Sequence, residues 1–79
     1  MNTVQDELKR FKRDTGYYEA HHQELLEKYP EQWVAIYNQE VVGADKDPRR
    51  LIRQLERKGI PPGEVVREYL TDKEDLLIL

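Results

Sequence analysis

The run WVAIYNQEVVGAD, Trp33 to Asp45, keeps a strand-like period of two on either side of a polar centre. It leads directly into KDPRRLIRQLERKG, whose apolar residues recur every three to four positions. A chain built this way has to form a β-hairpin followed by a helix, which restricts it to mixed folds. With Asn38 and Gln39 as the turn, Tyr37 faces Glu40, Ile36 faces Val41, Ala35 faces Val42, Val34 faces Gly43 and Trp33 faces Ala44. Val34, Ile36 and Val41 then share one face, and Trp33, Ala35, Tyr37, Val42 and Ala44 the other. Asn38 suits the positive φ of a tight turn, but Gln39 stands where such a turn prefers glycine, so a longer turn stays open as the alternative. Gly43 either relieves crowding or marks a bulge.

The helix after the hairpin is delimited at both ends. Asp47 is a capping residue followed by Pro48 in the first turn, and Gly59 and Pro61 close it. Leu51, Ile52 and Leu55 form its buried stripe, while Arg49, Arg53 and Arg57, with Arg50 alongside, fall on the opposite side. Pro61, Pro62 and Gly63 turn into Glu64 to Leu70, whose Val, Val and Tyr read as a third strand. A right-handed crossover sets that strand parallel to the second, giving a two-layer unit.

Upstream, Val4, Leu8 and Phe11 have helical spacing within residues 2–13; Asp14, Thr15 and Gly16 are expected to interrupt, and Tyr17 to Tyr29 resumes a helix that ends before Pro30. Downstream, TDKEDLLIL fits either a capped short helix or a fourth strand beside the third. The strand is preferred, since four consecutive aliphatic residues suit a covered strand and so short a helix cannot hold itself. The expected fold is therefore α+β, with residues 1–16 a helical extension and 17–79 a small domain.

The hairpin, the helix and the third strand carry a resemblance. The stretch ELLEKYPEQWVAIYNQEVVGADKDPRRLIRQLERKGIPPGEVVREYL resembles a small prokaryotic family, the domain of unknown function 5678 family, in its K-Y-P element, W-V-A-I strand, V-V strand and helix ending before G-I. The likeness spans roughly Tyr17 to Leu70. It departs at Gln39, where a small residue is usual, and at Gly43 within the second strand. It implies the architecture just read and transfers no functional residue.

Function is constrained mainly by exclusion. A chain of 79 residues supports one small core. Its lack of cysteine removes disulfides, thiolate zinc sites and a thiol nucleophile. No apolar run approaches the roughly 20 residues that span a bilayer, and residues 1–20 are charged where a signal peptide would be apolar, so a soluble cytoplasmic protein is expected. Glu19 and His22 have the Glu-x-x-His spacing of dimetal bundles, but such sites need two of these motifs. Adjacent His21 and His22, pointing about 100° apart on a partly exposed helix, are the simpler reading, and no metal or cofactor is expected. There is no nucleophile elbow or phosphate-cradling loop, and a deep cleft would consume the core of so short a chain, so no enzymatic activity is expected.

Two surfaces are left as candidates. The basic helix Pro48 to Lys58, through Arg49, Arg50, Arg53 and Arg57, could dock an acidic partner or follow a phosphate backbone, or be a solvated outer face. A net charge of -3 and the absence of interleaved aromatics favour a protein over nucleic acid. Trp33, Tyr37 and Tyr69, with Leu77 and Leu79 of the tail, could form an aromatic or edge-strand interface, or belong to the core. The expectation is a non-enzymatic interaction or accessory module acting on a protein partner or on itself as a homodimer, with a nucleic-acid-binding accessory as the alternative. No small-molecule substrate is implied.

Overall fold

A computed structural model of the chain describes residues 4–71. In chain order the elements are helix α1 (Val4–Ala20), helix α2 (His22–Lys28), strand β1 (Gln32–Ile36), strand β2 (Val41–Asp45), helix α3 (Pro48–Arg57), a 3-10 turn (Pro62–Glu64) and strand β3 (Val66–Leu70). The fold is α+β, with one sheet in the order β2-β1-β3. β1 is antiparallel to both neighbours, so β2 and β3 run in the same direction but with β1 between them rather than side by side. The fourth strand expected from the tail lies outside the described residues, as do Leu77 and Leu79.

Period-two alternation along β1 sends side chains to two cores. Val34, Ile36, Val66 and Leu70 pack with Leu25 of α2 under Tyr17, Tyr18, Leu26 and Tyr29. On the opposite face Ala35 and Val65 pack with Leu51 and Leu55 of α3, flanked by Trp33, Tyr37 and Val42. The pairing of α3 with the sheet is the two-layer unit expected; α1 and α2 add a third layer on the other face.

The hairpin follows the expected register at its tip and departs from it further along. Tyr37 and Glu40 exchange backbone hydrogen bonds at 2.9 and 3.2 Å around Asn38 and Gln39, both with positive φ, 54° and 62°. This is the two-residue turn whose backbone twist matches that of paired strands. Ile36 pairs with Val41, but Ala35 then pairs with Gly43, Val34 with Ala44 and Trp33 with Asp45. The extra residue, Val42, forms a bulge, and Ala44 consequently moves to the α1/α2 face. Packing explains the shift. A β-carbon on Gly43 would lie 2.9 Å from Leu51 Cδ1 and 3.1 Å from Gln54 Oε1. Gly43 and its partner Ala35 therefore form the low ground on which α3 rests.

α3 forms between the signals read in the sequence. Asp47 accepts from the Arg49 amide at 2.9 Å, Pro48 opens the helix, and Gly59 takes φ 75° past its end. The Gly59 and Ile60 amides return to Glu56 O and Leu55 O at 3.1 and 2.9 Å, while Ile60 packs back against the core.

The N-terminal half corrects one expectation. α1 runs without interruption through Asp14, Thr15 and Gly16; the break falls at His21, whose amide and Nδ1 both lie 3.0 Å from Tyr17 O. The residues taken for helix breakers are otherwise engaged. Thr15 Oγ1 donates to Phe11 O within the helix at 2.9 Å. Asp14, fully buried, accepts from the Asn38 and Gln39 amides at 3.1 and 2.8 Å, tying α1 to the tip of the hairpin. A further tie is Arg10, which bonds Glu64 at 2.6 Å and lies 4.9 Å over the Tyr37 ring.

Two substitutions separate the contributions at this tip. Asp14→Ala removes the acceptor for two amides and should lower unfolding free energy by about 2 to 3 kcal/mol in urea titrations. Gln39→Gly should raise it by about 0.5 to 1 kcal/mol by relieving positive φ at a residue with a β-carbon.

Candidate interaction surface

The two outer strands of the sheet are treated differently. Beside β2, Lys58 Nζ donates to Val42 O at 2.5 Å, and Gln54 Nε2 donates to Ala44 O at 3.1 Å and to Asp45 Oδ2 at 3.2 Å. Side chains of α3 and its C-terminal cap thus occupy carbonyls of that strand. Among the described residues no side chain does the same for β3, and its Arg67 and Tyr69 are exposed. Between Trp33 and Arg67 of the sheet and Pro48 and Leu51 of α3 lies a recess of about 340 Å³.

Trp33 and Tyr69 are direct cross-strand partners, with ring centroids 5.5 Å apart and planes inclined at 53°. Trp33 is half-buried against the α3 core, whereas Tyr69 is 40% exposed. Glu31, at φ 58°, holds the pair in place: its amide donates to Leu70 O at 2.8 Å, and its carboxylate accepts from Tyr69 Oη at 3.1 Å and Thr71 Oγ1 at 2.9 Å. That hydrogen bond, then desolvation and the Glu31 charge, holds the Tyr69 phenol above its ordinary value. An open cleft of about 660 Å³ wraps this edge, lined by Tyr18, Glu19 and His22 from the helices and by Trp33, Glu68, Tyr69 and Thr71.

Not every residue singled out in the sequence joins this surface. Tyr37 sits at the far end of β1, with Arg10 over its ring. The arginines of α3 form an exposed face but are not equivalent. Arg50 is 3.5 Å from Asp45 and 3.9 Å from Asp47, and Arg49 is 3.8 Å from Asp47. Asp47 is held below the ordinary carboxylate value chiefly by the Arg49 amide, with the two guanidinium charges adding to it. Arg53 and Arg57, one turn apart, have no ion-pair partner among the described residues. His21 stacks on Tyr17 at 4.2 Å, and His22 meets Tyr18 edge-on at 5.5 Å. Among the described residues no three His, Asp or Glu side chains are grouped to hold a metal ion, and no helix is long and apolar enough to cross a membrane.

Sequence reading missed Asp14, Arg10 and Glu31. The available signal was Gln39: a residue with a β-carbon at positive φ needs support from elsewhere.

Residues 24–73 match the model of the Family of unknown function (DUF5678). The chain belongs to this family. The DUF5678 match begins within α2 and runs past β3, so it takes in the hairpin, α3, the Trp33–Tyr69 pair and the cleft edge, and leaves α1 outside. No curated protein and no solved structure matches the chain.

The raised Tyr69 value predicts a pH response. Because the folded pKa lies above the ordinary value of 10.0, the Tyr69–Glu31 contribution is present below pH 10 and is lost as pH rises through the folded value. An alkaline titration of Trp33 fluorescence should show a transition above pH 10 that disappears in Tyr69→Phe.

Proposed function

We propose that this DUF5678 domain is a non-enzymatic protein-interaction module whose binding surface is the β3 side of the sheet. The observation that supports this is the asymmetry between the two outer strands. β2 has carbonyls occupied by side chains of α3 and its C-terminal cap, whereas among the described residues β3 has none so occupied and lies beside an aromatic pair, a guanidinium and an open cleft. An open strand edge provides backbone donors and acceptors to an extended segment, and neighbouring recesses provide side-chain selectivity. Trp and Tyr add apolar area at small entropic cost, and Arg67 gives a charged anchor for an acidic residue on the partner. The occupant is a segment of another protein or of another copy of the chain.

Capture from native cell extract tests the reading, with the wild-type chain and an Arg67→Glu/Tyr69→Ala chain as baits. Both side chains are exposed, so the variant keeps the core and loses only the Tyr69 hydrogen bond to Glu31 and its ring contact with Trp33. A partner held by the wild type and lost from the variant is the expected result; equal capture by both, or none, rejects the surface.

A second reading, nucleic-acid binding through α3, draws support from Arg53 and Arg57, which are exposed and have no ion-pair partner among the described residues. Asp45 and Asp47 count against it, since they already engage Arg49 and Arg50. Retention on generic duplex DNA or RNA at low salt, abolished by Arg53→Glu/Arg57→Glu, would establish it.

A further inference from the structure

The outer strand β3 carries one charge of each sign, and the strand period of two sends them to opposite faces. Val66 and Leu70 pack with Leu25 on the α1/α2 side, so Glu68 between them points to that side. Arg67 and Tyr69 point to the α3 side, where Tyr69 meets Trp33. Across the sheet Glu68 is paired with Val34 and Arg67 with Ala35, both apolar and fully buried. The recess beside Arg67 is otherwise walled by Trp33, Pro48 and Leu51, and the cleft beside Glu68 adds a second carboxylate, Glu19, with no lysine or arginine. Neither Arg67 nor Glu68 has an ion-pair partner among the described residues.

Adjacent charges on opposite faces of a strand do not answer each other, so both await groups from a segment laid along the edge. We infer that the segment bound at β3 belongs to another protein and presents, at three successive positions, an apolar residue over Tyr69, a lysine or arginine against Glu68 and an aspartate or glutamate against Arg67. This rests on the β3 reading above and names the chemistry of the partner. Directly opposed side chains of paired strands point to the same face, so the basic side chain enters the cleft that Glu68 shares with Glu19, and the acidic one enters the recess at Arg67. Antiparallel pairing, the more stable per residue, makes the order apolar, basic, acidic from the N-terminus of the segment. A second copy of the chain fits less well. The register that pairs all five residues of β3 with themselves sets Glu68 against Glu68 and leaves Arg67 against Tyr69.

Selection of a displayed library of short random peptides on the full chain tests the inference. The wild type should enrich triplets in the order apolar, basic, acidic, and Arg67→Glu/Glu68→Arg, which leaves net charge unchanged, should enrich the order apolar, acidic, basic. A synthetic peptide of the first kind should bind the wild type roughly tenfold more tightly than the same peptide with its two charges exchanged, and the ratio should shrink as salt rises. Glu68→Gln keeps the length of the side chain and should lose only the preference for a basic residue at the central position. Enrichment without charge order that is lost in Arg67→Glu/Tyr69→Ala overturns this inference and leaves the β3 reading standing. Enrichment that survives in Arg67→Glu/Tyr69→Ala, or none on the wild type, overturns both. A wild-type dimer in sedimentation equilibrium that dissociates in Arg67→Glu/Tyr69→Ala overturns the inference alone, by making a second copy the occupant.

Discussion

The carboxylate of Asp14 holds the molecule together at its most demanding point. Asn38 and Gln39 both adopt positive φ, a conformation that costs an ordinary L-residue about 1 to 2 kcal/mol, and Gln39 lacks the side-chain compensation open to Asn38. Asp14 accepts from both amides and is itself fully buried, so a group that is costly to bury and a turn that is costly to form satisfy one another. The same contact fixes how α1 is rotated. Tyr17 and Tyr18 then pack against the sheet, while Leu8 and Phe11 face outward.

A second constraint acts at Gly43. α3 approaches the sheet so closely that a β-carbon there would meet Leu51, and the bulge at Val42 turns the glycine under the helix. Its consequences extend to both outer strands. The bulged carbonyl is taken by Lys58, and Gln54 closes on Ala44, which leaves β2 occupied. At the other side of the sheet, Glu31 clasps Tyr69 and Thr71, and among the described residues no side chain takes a β3 carbonyl.

These constraints sort the candidate surfaces. The aromatic pair lies on the outer strand whose carbonyls, among the described residues, no side chain takes, and there a half-buried ring supports a more exposed one. The arginine face is divided, since half of it answers the acids at its own N-terminus. α1 lies outside the DUF5678 match yet braces the hairpin within it.

What the sequence determined is local. The change of hydrophobic period placed the hairpin and α3, and Asp47, Pro48, Gly59 and the turn at Asn38 and Gln39 set their ends, because capping and turn chemistry act within a few residues. The alternation along β1 likewise put apolar side chains on both of its faces. Tertiary structure decided what depends on distant partners. Asp14, Thr15 and Gly16 stay helical because the Asp14 carboxylate bonds a turn 24 residues away rather than its own backbone. Ala44 changes face because α3 needs a glycine opposite Ala35, and a shift of one residue reverses a side chain in a strand. Which outer strand has its carbonyls taken by side chains of the described residues follows from those long-range contacts. A periodic pattern identifies a buried face but not the group that buries it.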